Sequence, residues 1–162
     1  MRRVFFSFDW DDAWKVNQVR HSWLTTGVEA VGFIDAADIE QVKRASHQAI
    51  QNWIDMQMKS TSVTAVLIGE NTHRSRWVKY EIKKSIDKRN GILEIYIHNV
   101  KDRFGRTSFK GKSPFEEPPF NWRASHQGEL AYPCCCCYDW VSGESHQNVG
   151  DWIERAAQQA GR

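Results

Sequence analysis

No apolar run in this 162-residue chain approaches the roughly 18 residues of a membrane helix, so no membrane partner is expected. A glycine-rich phosphate loop is also missing. Neither a dinucleotide fingerprint nor a P-loop can be found, which argues against a hydride-transfer enzyme or an NTPase. Charge of one sign is lacking too: 22 basic and 20 acidic residues leave a formal net charge of +2. Without a basic block, nucleic acid is not an expected partner. The six histidines are scattered, and none forms a metal-ligand pair on an expected helix, so no metal is assigned. Cysteine is absent except for one run, Cys134 to Cys137. Neighbours in such a run cannot easily share a disulfide, and a zinc site needs further ligands at suitable spacing. Two readings of the run stay open. Cys134 and Cys137 can form a redox or metal pair; the better supported reading is four small side chains in a strand buried on both faces and kept reduced.

A chain of this length is expected to fold as one domain spanning residues 1–162, with enough core to need no staples. Its eight tryptophans are more than a core of this size calls for, which leaves several for a ligand pocket. The two basic residues and short apolar run at the start could be taken for a secretory signal. Asp9, Asp11 and Asp12 break that run, and no small-residue cleavage site follows, so it reads as a first strand of a cytoplasmic protein.

Apolar runs alternate with helix-period segments. Strands are expected at Val4 to Phe8, Val31 to Ile34, Ser62 to Ile68, Ile92 to Ile97 and Cys134 to Tyr138. Helices are expected from Asp11 or Asp12 to about Thr25, with one of these aspartates as cap, then from Ile39 to Met58, from about Trp77 to Lys88, and from Asn148 to Ala160. The alternation predicts an α/β fold with a mainly parallel sheet of about five strands between two helical layers. Such sheets bind ligands beyond the carboxyl ends of their strands, where strand order reverses. Residues of about 99–131 break the pattern as a long irregular insertion. Its Phe104, Phe109, Phe115, Phe120 and Trp122 suggest packing over an edge or a mouth. This insertion and the loop at Asp35 to Glu40 are candidate lids.

Within this frame, Trp77-Val-Lys-Tyr-Glu81 follows directly on the strongest strand. Residues four apart share a helix face. An indole beside a carboxylate at a strand's carboxyl end can hold a flat cationic ring and the sugar attached to it. Plainer roles remain open: Glu81 as a surface carboxylate paired with Lys84 or Lys88, and Trp77 as a core anchor. Asp9, Asp11 and Asp12 also suggest the acidic pocket of a phospho-receiver. That pocket needs an aspartate after the third strand and a lysine after the fifth, whereas the chain has Gly69-Glu70-Asn71 and Tyr138-Asp139-Trp140. His98 could face the ligand edge or be a satisfied histidine at a strand end.

Several segments together carry a family resemblance: Val4 to Phe8, Val16 to Arg20 with Ser22-Trp23, Thr61 to Thr64 with Val66 to Gly69, Arg76 to Ile82, and Ile95 to Asn99. As a set they resemble the TIR-like domains of the Thoeris anti-phage defence system, the ThsB proteins, over most of residues 3–100. The resemblance implies a flavodoxin-like TIR fold and an enzyme that breaks the nicotinamide–ribose bond of NAD, with NAD as substrate and no separate cofactor. It implies a nucleotide signal, typically a cyclised ADP-ribose, that switches on an effector of the same system, with a phage component as trigger. It maps the catalytic glutamate onto Glu81, its companion tryptophan onto Trp77, and the substrate-binding end of the first strand onto Phe6, Ser7, Phe8 and Asp9. A homo-oligomer, with sites shared between subunits, is compatible with it. The alternative is a non-catalytic sensor or adaptor acting by self-association. The Asp9-Trp10-Asp11 stretch and the cysteine run have no counterpart in the resemblance.

Overall fold

A computed structural model of the chain describes residues 2–24, 26–35, 37–121 and 134–162, and of 134–136 and 146 the backbone alone. Thr25, Ala36, Trp122 and the end of the expected 99–131 insertion therefore lie outside the described residues. The elements are β1 (Arg3–Phe8), α1 (Ala13–Trp23), β2 (Glu29–Val31), α2 (Ile39–Lys43), α3 (His47–Met58), β3 (Val63–Ile68), α4 (Arg76–Asp87), β4 (Gly91–Tyr96), β5 (Cys134–Asp139) and α5 (Ser145–Gln159). The described strands form one sheet in the order β2-β1-β3-β4-β5, and every neighbouring pair is parallel. Among the described residues no helix is long and apolar enough to cross a membrane.

Strand alternation sorts the side chains into two layers. Val4, Phe6, Phe8, Val63, Ala65 and Leu67 join α1 and α5 in one core, where Val16, Val19, Trp23, Val149 and Ile153 are buried. Phe5 faces the other way, onto Ile50, Ile54 and Met58 of α3 and Trp77 of α4. Val66, Ile68 and Ile92 meet Val78 and Ile82 of α4 on that same side. The sheet is thus covered on both faces, as its continuous apolar strands require. The chain runs from β1 out to β2 and then returns to lay β3 on the other side of β1, so strand order reverses between β1 and β3.

Local chemistry moves several element boundaries. The helix expected over Ile39 to Met58 is two helices, because Ser46 takes an extended backbone (φ −63°, ψ 151°) and its hydroxyl accepts from the Ala49 amide. The second strand lies at Glu29–Val31, earlier than expected. Gly32 stops it at φ +79°, where an added Cβ would fall 2.5 Å from the Phe5 ring. Asp12 holds the N-cap position of α1, as expected, but its side chain makes no cap bond; the carboxylate that caps is Asp9, which accepts from the Asp11 amide and starts the short turn Trp10–Asp12 before the helix. The left-handed residue after α4 is Arg89 (φ 56°), while Asn90 is buried and donates to Thr61 and Thr64.

The side chains of Cys134 to Cys136 lie outside the described residues. Among the described strands β5 lies at an edge, and Cys137 is exposed, which corrects the expected burial on both faces at that position. Tyr138, its neighbour of opposite facing, stacks on Trp152 of α5 at 3.9 Å between centroids. In the segment after β4, Phe115 is buried, whereas Phe104 and Phe109 are exposed.

Candidate active site

The site forms where β1 and β3 end side by side, with Ser7 opposite Val66 and Phe8 opposite Leu67. Helix α4 starts just beyond, capped by Ser75, whose hydroxyl accepts from the Val78 amide. From that start the helix runs back over the sheet. Its buried stripe of Trp77, Val78, Glu81, Ile82 and Ser85 lies on β1 and β3. Glu81 is part of this stripe and only 2% exposed.

Its carboxyl has one partner: the Ser7 hydroxyl donates to Glu81 Oε2 at 2.6 Å. The surface pairing that spacing allowed is not made. Lys84 bonds Asp55 at 3.1 Å, and Lys88 donates to the Lys59 carbonyl at 3.2 Å. Burial therefore dominates and pushes the Glu81 pKa up to about 8, although the bond from Ser7 pulls it down. Near neutral pH the resting carboxyl holds its proton.

Trp77 stands one helical turn closer to the carboxyl ends of the strands. It is 8% exposed and packs into the core with Phe5, Ile50 and Met58, yet its remaining surface lines a cleft. The anchoring and ligand-facing roles are thus both present in one side chain. Against it lies Trp10, nearly parallel, with centroids 6.2 Å apart and 16° between planes. His47 and Tyr80 meet the Trp77 ring edge-on. The cleft has a volume of about 350 Å³. A second hollow of about 370 Å³ lies beside α2, lined by Phe33, Val42, Trp53 and the carboxylates Asp35 and Asp38; Ile50 borders both. Glu81 lines neither. Trp77, one helical turn away, is the residue of the buried stripe that reaches the cleft.

Of the residues singled out in the sequence, Ser7, Trp77 and Glu81 come together, and Asp9 lines the cleft with its pKa raised mainly by burial. Phe6 and Phe8 do not join them. Both point into the opposite core, Phe6 edge-on to Trp23 at 4.6 Å and Phe8 stacked on Phe33 at 6.2 Å. A strand of nearly uniform apolar residues does not reveal which of its faces meets α4, and Ser7 is the one break in that uniformity. The second aromatic wall is Trp10, whose only signal was its place directly after β1. The Asp12 side chain, expected to cap, instead reaches toward Gly69, and burial with nearby Asp9 raises its pKa to about 6. His98 comes within 3.9 Å of Asp139. Sequence reasoning also missed Glu94, a buried carboxylate on β4 that accepts from Ser113 and from Cys137.

Comparison with known proteins gives the chain a family. Residues 5–102 match the family described as Thoeris protein ThsB, TIR-like domain. A relative from Bacillus cereus (strain MSX-D12), named "Putative cyclic ADP-D-ribose synthase ThsB1", is 39% identical over 146 residues, which cover 88% of this chain and 73% of the relative.

Proposed function

This chain belongs to the TIR-like ThsB family of Thoeris proteins, and on that premise we propose that it cleaves the nicotinamide–ribose bond of NAD and releases a cyclised ADP-ribose as a defence signal. The observation that carries the reading is the buried Glu81–Ser7 pair directly behind the Trp10–Trp77 wall of a cleft. Phe6 and Phe8 lie in the core on the other face of the sheet and do not form this wall.

In the reaction the electron pair of the glycosidic C–N bond passes to the ring nitrogen, so nicotinamide leaves neutral and positive charge develops on the ribose. A fixed carboxylate beside the ribose stabilises that charge. Glu81 is neutral at rest because burial disfavours its charged form. A pyridinium brought against it lowers its pKa again, so the substrate itself ionises the group that acts on it. The Ser7 hydroxyl then donates to the carboxylate and fixes its direction. The indole faces of Trp77 and Trp10 suit a flat cationic ring. No protein nucleophile is needed. Attack by an adenine nitrogen or ribose hydroxyl of the same molecule gives a cyclic product, whereas attack by water gives linear ADP-ribose, so exclusion of water favours the ring closure.

On this reading NAD is the substrate and no further cofactor takes part. The product reaches a cytoplasmic effector of the same system by diffusion, and a phage component triggers synthesis. A carboxyl only 2% exposed at rest is consistent with the need for a trigger. Mass spectrometry of small molecules from phage-infected cells tests this. Wild-type protein should give the nucleotide signal, and Glu81→Gln should give none while remaining folded. Product from Glu81→Gln at the wild-type level removes Glu81 from the chemistry. No product from the wild type in infected lysate favours an adaptor that works by self-association.

A further inference from the structure

We propose that Arg74 and Arg76, backed by Lys43 and His47, form the subsite that grips the diphosphate of a dinucleotide on the cleft wall beside Trp77. The inference rests on the NAD reading for the identity of the ligand and goes beyond it in assigning residues.

Four basic side chains from separate elements line this one cleft: Lys43 at the end of α2, His47 at the start of α3, Arg74 in the turn before α4, and Arg76 in its first turn. Arg76 is held in place from two sides. Its guanidinium lies 5.0 Å over the Trp77 ring, and its Nη1 is 3.1 Å from His47 Nε2. A guanidinium that stacks by its face keeps its remaining edge donors for a ligand, and its fork matches two phosphate oxygens at once. Two carboxylates share the cleft, but both are already engaged. Asp11 pairs with Lys43 at 3.0 Å, and Asp9 accepts from the Asp11 amide at 3.1 Å. The two arginines, which carry permanent charge, are the groups left to face an anion.

The placement fits the chemistry. A ring held at Trp77 lies next to Arg76, which adjoins Trp77 in sequence and lies over its indole, so the phosphates of the same ligand fall within reach of the arginines. At about 350 Å³ the cleft suits a diphosphate with part of a sugar rather than a polynucleotide, which needs an extended groove. Held there, the diphosphate is an anchor remote from the bond that breaks, so it supplies binding without taking part in the chemistry.

Binding measurements test this without any turnover. ADP-ribose is titrated into the wild type, Arg74→Ala, Arg76→Ala and Arg76→Lys, with inorganic pyrophosphate and AMP as competitors and Trp fluorescence as readout. Both arginines are exposed, so the variants should fold, and thermal melting checks that they do. Each alanine variant should weaken ADP-ribose roughly tenfold or more, as expected for loss of a charged hydrogen bond. Arg76→Lys should recover part of the loss, and pyrophosphate should displace ADP-ribose better than AMP does. Affinities within twofold of wild type in both alanine variants, or no binding of ADP-ribose to the wild type, overturn the subsite. If the arginine variants lose ADP-ribose while wild-type protein never consumes NAD, the subsite stands and the catalytic reading fails.

Discussion

Trp10 and Trp77 lie nearly face to face, 6.2 Å between centroids, and come from opposite sides of the point where strand order reverses. Trp10 begins the turn after β1, and Trp77 sits in the first turn of α4. Glu81 is one turn deeper and 2% exposed. The pair therefore forms a double aromatic layer on the wall of the cleft, one helical turn from the carboxyl.

Trp10→Ala thins that layer on one side only and leaves Trp77 in its core contacts. We expect two changes in infected lysate. NAD affinity falls, because one aromatic face is lost, and linear ADP-ribose rises relative to the cyclic product, because water reaches the cleaved ribose. Quantifying both products by mass spectrometry checks this. A product ratio equal to wild type would mean that Trp10 does not control water entry.

The protonation of Glu81 is a statement about stability as well. The glutamate titrates near 4.5 when unfolded and near 8 when folded. Between these values the folded chain holds a proton that the unfolded chain has released, so rising pH favours unfolding across the whole window, and the penalty is complete above pH 8. The effect is on the order of 5 kcal/mol from one end to the other. Glu81→Gln cannot titrate and should escape it. Its stability relative to wild type should climb steadily from pH 5 to pH 8 in denaturant melts. Ser7→Ala removes the bond that pulls the pKa down, so its loss of stability should extend to higher pH than in wild type. Parallel stability curves for wild type and Glu81→Gln would show that the carboxyl is not proton-bound when buried.

How much of this was legible before the fold depended on where polarity broke the pattern. In α4 the stripe of Val78 and Ile82 placed Glu81 at its border, and the strand before it fixed the helix at the ligand end of the sheet. Ser46 was readable in principle as a helix start inside the expected 39–58 helix, but the apolar spacing of Val42, Ile50 and Ile54 runs through the break undisturbed. β1 was harder. Phe5, Phe6 and Phe8 are equally apolar, and only the layers around them decide that Phe5 faces α4 while the other two face α1. Trp10, Lys43, His47, Arg74 and Arg76 converge through tertiary folding from positions up to 66 residues apart (10 to 76), which no local period encodes.

Gly69 offers a test of the loop that shapes the site. A Cβ added there would fall 2.0 Å from Asp12 Oδ2, so the carboxylate occupies the space that a side chain would need. The Thr72 hydroxyl accepts from the Gly69 amide at 2.8 Å, which fixes the loop and keeps it from moving aside. In Gly69→Ala the largely buried aspartate must move instead. Overpacking of this kind costs roughly 1–3 kcal/mol. If the clash with Asp12 is the cause, Asp12→Ala should relieve most of that cost, and the double variant should be more stable than the sum of the two single effects predicts. Equal cost of Gly69→Ala in both backgrounds would place the strain in the backbone of the loop and not in the contact with Asp12. Because the Asp12 pKa is raised to about 6, the coupling should be measured at pH 8, where the carboxyl is ionised and least able to retreat from water into the protein.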